Sequence, residues 1–232
     1  MWPLTDITVY YDGTKTKDTS FDWKFRKAVN FISDYYHNSL AGYKPPKTGR
    51  ICIHIKEAMF LQEPWYFGAI CTLSTTMNEE QYLRLSKTEQ YRYLLELIHN
   101  AVIEAVEKLG WEKSIFESAY HTIFGSDFVF EKHQAEKKSR NRKSTGVSVL
   151  AKTEDIATLK VRITTEAGTS EAVLFNKKNW YWWDSSYRIA ANCKWIDEDS
   201  FGYKSKTTDE FVYYSIREGK VKMNMTLEDS VF

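Results

Sequence analysis

Two neighbouring stretches contain residue types that could do chemistry. In RICIHIKEA, residues 50–58, Cys52 and His54 stand two apart and would share one face of a strand. WYFGAICTLSTT, residues 65–76, follows after a short loop containing Pro64. An antiparallel hairpin centred near residues 62 and 63 would bring Cys71 beside the first pair. Two thiols and an imidazole could hold a metal or present a nucleophile. No fourth ligand is visible, and a buried cysteine beside a hydrogen-bonded histidine is ordinary in a central strand. Cys52, His54 and Cys71 therefore stand as a metal candidate only, and the expectation is a chain without metal or cofactor.

Other chemical signatures are missing. There is no GxSxG, HExxH or GxGxxG. GYKPPKTGR resembles a phosphate loop in composition, but Gly42 and Gly49 are wrongly spaced for one. The five histidines are scattered, with no pair at the i, i+4 spacing that lets a helix hold a metal. No catalytic residue is assigned.

Two charged groups and one aromatic group suggest recognition instead. Lys137, Lys138, Arg140, Arg142 and Lys143 form a basic patch without large apolar neighbours, and Asp197, Glu198 and Asp199 form an acidic edge later in the chain. A positive loop and an acidic edge suit protein recognition. In NWYWWDSSYR, residues 179–188, Trp180, Tyr181, Trp182 and Trp183 are consecutive and Tyr187 follows. Read as a strand, the segment puts Trp180 and Trp182 on one face and Tyr181 and Trp183 on the other. One face would line a core and the second would need a partner or another layer, which makes these aromatics candidate partner-binding residues.

The elements that must position these residues read as α+β. ITVYY (7–11) is a short strand, and Phe21, Phe25, Ala28, Val29, Ile32 and Tyr36 mark a helix that follows it. After the two strands containing Cys52 and Cys71 come two helices. Ser86 with Glu89 and Ser114 with Glu117 have capping-box spacing, and Gly110 and Gly125 stop the helices they open. Residues 1–130 are thus expected to form an antiparallel sheet covered by two or three helices. Residues 131–146 read as a basic loop or linker. Residues 147–232 read as an antiparallel β-meander without a helix, curled or closed into a partial barrel.

Composition bounds the function. Of 232 residues 43% are hydrophobic and 16% aromatic, enough for a substantial core. Lys and Arg number 32 against 31 Asp and Glu, so no global charge attracts nucleic acid, which is not expected as a partner. No apolar run reaches membrane-spanning length and no leader is recognised, so the expected address is the cytoplasm. Three cysteines without CxxC spacing predict buried free thiols. The expectation is a non-catalytic cytoplasmic protein that binds another protein, most concretely an inhibitor or immunity-type partner of a toxin. The alternatives are a carrier enclosing a small apolar ligand in a barrel-like cavity, and an enzyme of unrecognised type.

Overall fold

The computed structural model describes residues 4–13 and 19–227. The chain divides into two compact units, Met1–Phe128 and Val129–Phe232.

The first unit opens with β1 (Asp6–Tyr11), α1 (Thr19–Ser39) and β2 (Arg50–Ile55). A 3-10 turn (Ala58–Phe60) and β3 (Trp65–Phe67) precede β4 (Ile70–Thr75). Three helices follow, α2 (Glu79–Arg84), α3 (Lys87–Leu109) and α4 (Lys113–Gly125). The strand order is β1-β2-β4-β3, with β1, β2 and β4 mutually parallel and only β3 antiparallel to its neighbour. This corrects the expected antiparallel sheet. A helix intervenes between β1 and β2, so the chain returns to the starting end of the sheet and the two strands run the same way. The stretch 65–76 is not one strand either, because Gly68, at φ +59°, turns it back into a β3–β4 hairpin.

Alternation gives this sheet two faces. Ile7, Val9, Tyr11, Ile51, Ile53, Ile55, Cys71 and Leu73 are buried on the face that receives the helices. Helix α3 starts with the expected capping box, in which the Ser86 N–H donates to the Glu89 carboxylate at 2.8 Å, and ends at Gly110 in the left-handed conformation. The box read at Ser114 and Glu117 does not form. Helix α4 begins two residues earlier, with Glu112 at its N-cap.

The second unit contains two antiparallel sheets. One has the order β5 (Phe130–His133), β7 (Thr145–Lys152), β8 (Ile156–Thr165), β9 (Gly168–Lys178), with β6 (Lys137–Lys138) added to β7. The other is a meander of β10 (Lys194–Trp195), β11 (Ser200–Lys204), β12 (Phe211–Ser215) and β13 (Lys220–Asn224). The sheets do not close into a barrel. A helix absent from the sequence reading, α5 (Ser185–Asn192), lies between β9 and β10 in the chain. Its Ile189 and Ala190 join Leu150, Leu159, Val161, Phe175, Phe201 and Val212 in the core.

The aromatic stretch is therefore not a strand. Tyr181–Trp183 form a 3-10 turn and Ser185 begins α5. Polar turn chemistry overrides the β-propensity of the rings. The Asn179 side chain accepts the Tyr181 N–H at 2.8 Å, and Asp184 caps α5 by accepting the Ser186 N–H at 2.8 Å. The basic segment is not an unstructured linker. Lys137 and Lys138 pair with Gly146 and Thr145 in a hairpin.

Candidate functional site

The second face of the first unit's sheet carries polar and aromatic groups in register. Asp6 and Arg50 share one row, Thr8 and Cys52 the next, and Tyr10 and His54 the third. Asp6 is fully buried and accepts from Arg50 Nε at 2.9 Å and from the hydroxyls of Thr5 and Thr8. Three donors compensate the desolvated carboxylate, so this pair anchors the sheet rather than doing chemistry.

At the carboxyl ends of β1 and β2 the groups become accessible. His54 Nδ1 lies 3.0 Å from Asp12 Oδ2, and the His54 ring stacks on Tyr10 at 4.9 Å. The rim beyond parallel strands is where open α/β sheets bind ligands. Here a cleft of about 440 Å³ is lined by Asp12, Lys56, Glu57, Met59, Phe60 and Gln62. The crossover from β2 to β4 forms its wall and is tied down by the Gln62 backbone, which exchanges two hydrogen bonds with the Ser74 hydroxyl. Farther on, Glu63 pairs with Lys108 of α3.

This crossover exposes much apolar area. Met59 is 79% exposed and Phe60 58%, and Leu61 is also open to solvent. On edge strand β3, Trp65 is 47% and Phe67 73% exposed, side by side on one face opposite Thr72 and Ile70. Sequence reasoning passed over these five residues, although AMFLQEPW is an apolar run inside a proline-containing connection, which is a readable signal of an exposed patch.

The proposed metal ligands separate. Cys52 and His54 share a face, but Cys71 pairs in register with Ile51 and points to the helical side. The parallel pairing that replaced the hairpin causes this. Burial pushes the Cys71 thiol up to about 11 and raises that of Cys52, so neither is a thiolate nucleophile at neutral pH. Among the described residues no cluster of three or more His, Cys, Asp or Glu could hold a metal.

In the second unit the aromatic turn is pinned by buried charge. Lys152 on β7 and Lys177 on β9 flank Ala157 in one inward-facing row. Lys177 Nζ lies 3.0 Å from Asp184 Oδ1, with both side chains fully buried, and Asp184 Oδ2 accepts the Trp180 N–H at 2.9 Å. Lys152 Nζ donates to the Tyr181 carbonyl at 2.6 Å and lies 3.9 Å from the Tyr187 ring centroid. Burial would raise the Asp184 carboxyl, but the Lys152 charge and the backbone donors of Trp180 and Ser186 outweigh it and hold the group below its ordinary value. Tyr181 is thereby buried, Trp180 and Trp182 are half-buried, and Trp183 is exposed.

The charged candidates meet each other. The Asn141 N–H at the tip of the basic hairpin approaches the Glu198 carboxylate at 3.4 Å, and Asp199 pairs with Arg217 at 2.6 Å. Lys137 turns inward, donating to the Cys193 carbonyl at 2.6 Å, while Lys138, Arg140, Arg142 and Lys143 stay exposed.

Fold and site together define a two-unit mixed α/β protein with an exposed apolar crossover on a mostly parallel sheet. The chain matches no family model, and comparison with curated proteins and with solved structures finds no similar protein. No described helix is long and apolar enough to cross a membrane.

Proposed function

We propose that this is a non-catalytic binding protein whose partner is another protein, docked on the β2–β4 crossover and edge strand β3. The observation that carries the reading is the exposure of Met59, Phe60, Leu61, Trp65 and Phe67 within ten residues of chain. Five large apolar side chains exposed in so short a segment mark a surface that a partner covers, and aromatic anchors dominate interface energies. β3 ends its sheet, so among the described residues its outer edge has no strand neighbour. The occupant that fits is an extended apolar segment of the partner, adding a strand to β3 and packing on Trp65 and Phe67. An inhibitor or immunity-type role is the concrete form of this reading, in the reducing cytoplasm that three free thiols suit.

The test compares proteins captured from the native lysate by the parent and by the Trp65→Ala/Phe67→Ala variant. A partner held by the parent should be lost from the variant, with affinity reduced by about 2 kcal/mol or more and melting unchanged. Retention of the same partner by the variant, or a dimer of this chain abolished by the same changes, refutes the reading.

A second reading is favoured by the Asp12–His54 pair. A carboxylate-oriented imidazole at the rim of parallel strands could act as a general base on a ligand in the adjoining cleft. His54→Ala that leaves partner capture intact but abolishes the biological effect of the complex would favour it.

A further inference from the structure

The meander β10–β13 has one face in the core of the second unit and one turned outward. Cross-strand pairing puts Lys194, Gly202 and Tyr213 in one outward row and Lys204 and Phe211 in the next. The Phe211 and Tyr213 rings, both half-buried, lie 5.3 Å apart. A Cβ at Gly202 would fall 2.5 Å from the Tyr213 Cα, so the two strands approach there more closely than any other residue would allow.

Against the lysine ends of these rows lies a cleft of about 380 Å³. Its lining contains Lys137, Arg188, Lys194, Lys204 and Lys206 and no carboxylate. None of the five has a carboxylate partner among the described residues, and Arg188 is held by the Tyr203 hydroxyl at 3.2 Å. Asp197, Glu198, Asp199 and Glu218 line a separate concavity at the other end of the sheet together with Tyr213, Arg217 and Lys222, and Asp199 and Glu218 are paired with those two cations. The near-neutral total charge, which argued against nucleic acid in the sequence, averages over these two ends.

We propose that the basic cleft and its adjoining rings bind single-stranded nucleic acid. Lys194, Lys204, Lys206 and Arg188 hold phosphodiesters, and unpaired bases lie on Phe211 and Tyr213. Cations alone would accept any polyanion, but two neighbouring rings on a sheet face add a stacking platform that only unpaired bases use. The phosphate-holding cations are gathered at the Lys204 end of the sheet, so the site takes a short stretch, on the order of four nucleotides.

The test is fluorescence anisotropy of a labelled single-stranded oligonucleotide of about twelve nucleotides, in DNA and RNA forms, with the full chain at low salt. A duplex of the same sequence and inorganic polyphosphate serve as comparison ligands. The Lys194→Gln/Lys204→Gln/Lys206→Gln variant should lose about tenfold or more in affinity, and its salt dependence should become shallower by about two in log–log slope. These lysines are exposed, so the fold should survive, as melting verifies. Phe211→Leu should weaken the oligonucleotide about fivefold and leave polyphosphate binding unaltered. The proposal is overturned if the triple variant binds as the parent does, if duplex binds as well as single strand, or if Phe211→Leu changes nothing.

Discussion

Replacing Asp184 by Ala tests whether buried charge holds the aromatic turn. The substitution removes the carboxylate that accepts from Lys177, Trp180 and Ser186, all at 3.0 Å or less. Lys177 is then a fully buried cation without its partner, a loss of about 3–5 kcal/mol. The missing helix cap adds about 1 kcal/mol, although the two overlap because one oxygen serves both roles. Lys152, whose charge also acts on Asp184, loses that attraction as well. A loss of about 4 kcal/mol is a large part of the roughly 5–15 kcal/mol that stabilises an ordinary domain. Urea unfolding followed by tryptophan fluorescence measures it, since Trp180, Trp182, Trp183 and Trp195 all lie in the second unit. A loss below about 1 kcal/mol would refute the reasoning. The Lys177→Met/Asp184→Asn variant removes both charges and keeps a capping group, so it should recover more than half of the loss. If it is as unstable as Asp184→Ala, the ion pair is not the source.

The same group sets a pH dependence. Its folded pKa is depressed, so its contribution is present above the unfolded value and lost as pH falls through the folded one; acid titration of stability should steepen below about pH 4, and Asp184→Asn should flatten that limb. Within the turn, Tyr181→Ala should cost about 3 kcal/mol because the ring is buried, whereas Trp183→Ala, with 48% of the residue exposed, should stay within about 1 kcal/mol; equal melting of the two variants would contradict the placement. Elemental analysis should find no stoichiometric zinc, because Cys71 faces away from Cys52 and His54. Trypsin should cut first at Arg140, Arg142 or Lys143 on the exposed hairpin tip, and first cleavage inside Lys87–Leu109 would contradict this.

Helix α3 was readable in detail because its stop and start are local, set by Ser86, Glu89 and Gly110 within single turns of backbone. The direction of β2 against β4 was not, because it depends on where the chain returns after Gly68 rather than on the residues inside either strand. The aromatic stretch misled for a related reason. Four large rings in a row signal a strand, but the two polar residues that bracket them, Asn179 and Asp184, have the decisive hydrogen bonds. Lys152 and Lys177 look like ordinary strand-end lysines, and only the β7–β8–β9 register shows that they face inward in one row. The exposed patch was legible in AMFLQEPW, whereas the basic cleft was not, since its cations come from β6, α5, β10, the end of β11 and the β11–β12 connection.

The parallel pairing of β1 and β2 also bears on the time course of folding. It joins Asp6 to Arg50, so a long segment, α1 included, must be enclosed before the first rung of that ladder forms. In the second unit most rungs join strands that follow one another through short turns, as Thr165 meets Gly168 and Ser215 meets Lys220. Loop closure must precede the reward of a distant contact, so the first unit should be the slow phase of refolding and the second the fast one. During that interval the unpaired β-strands of the first unit are the part of the chain most open to aggregation, and refolding yield should fall with protein concentration through that unit.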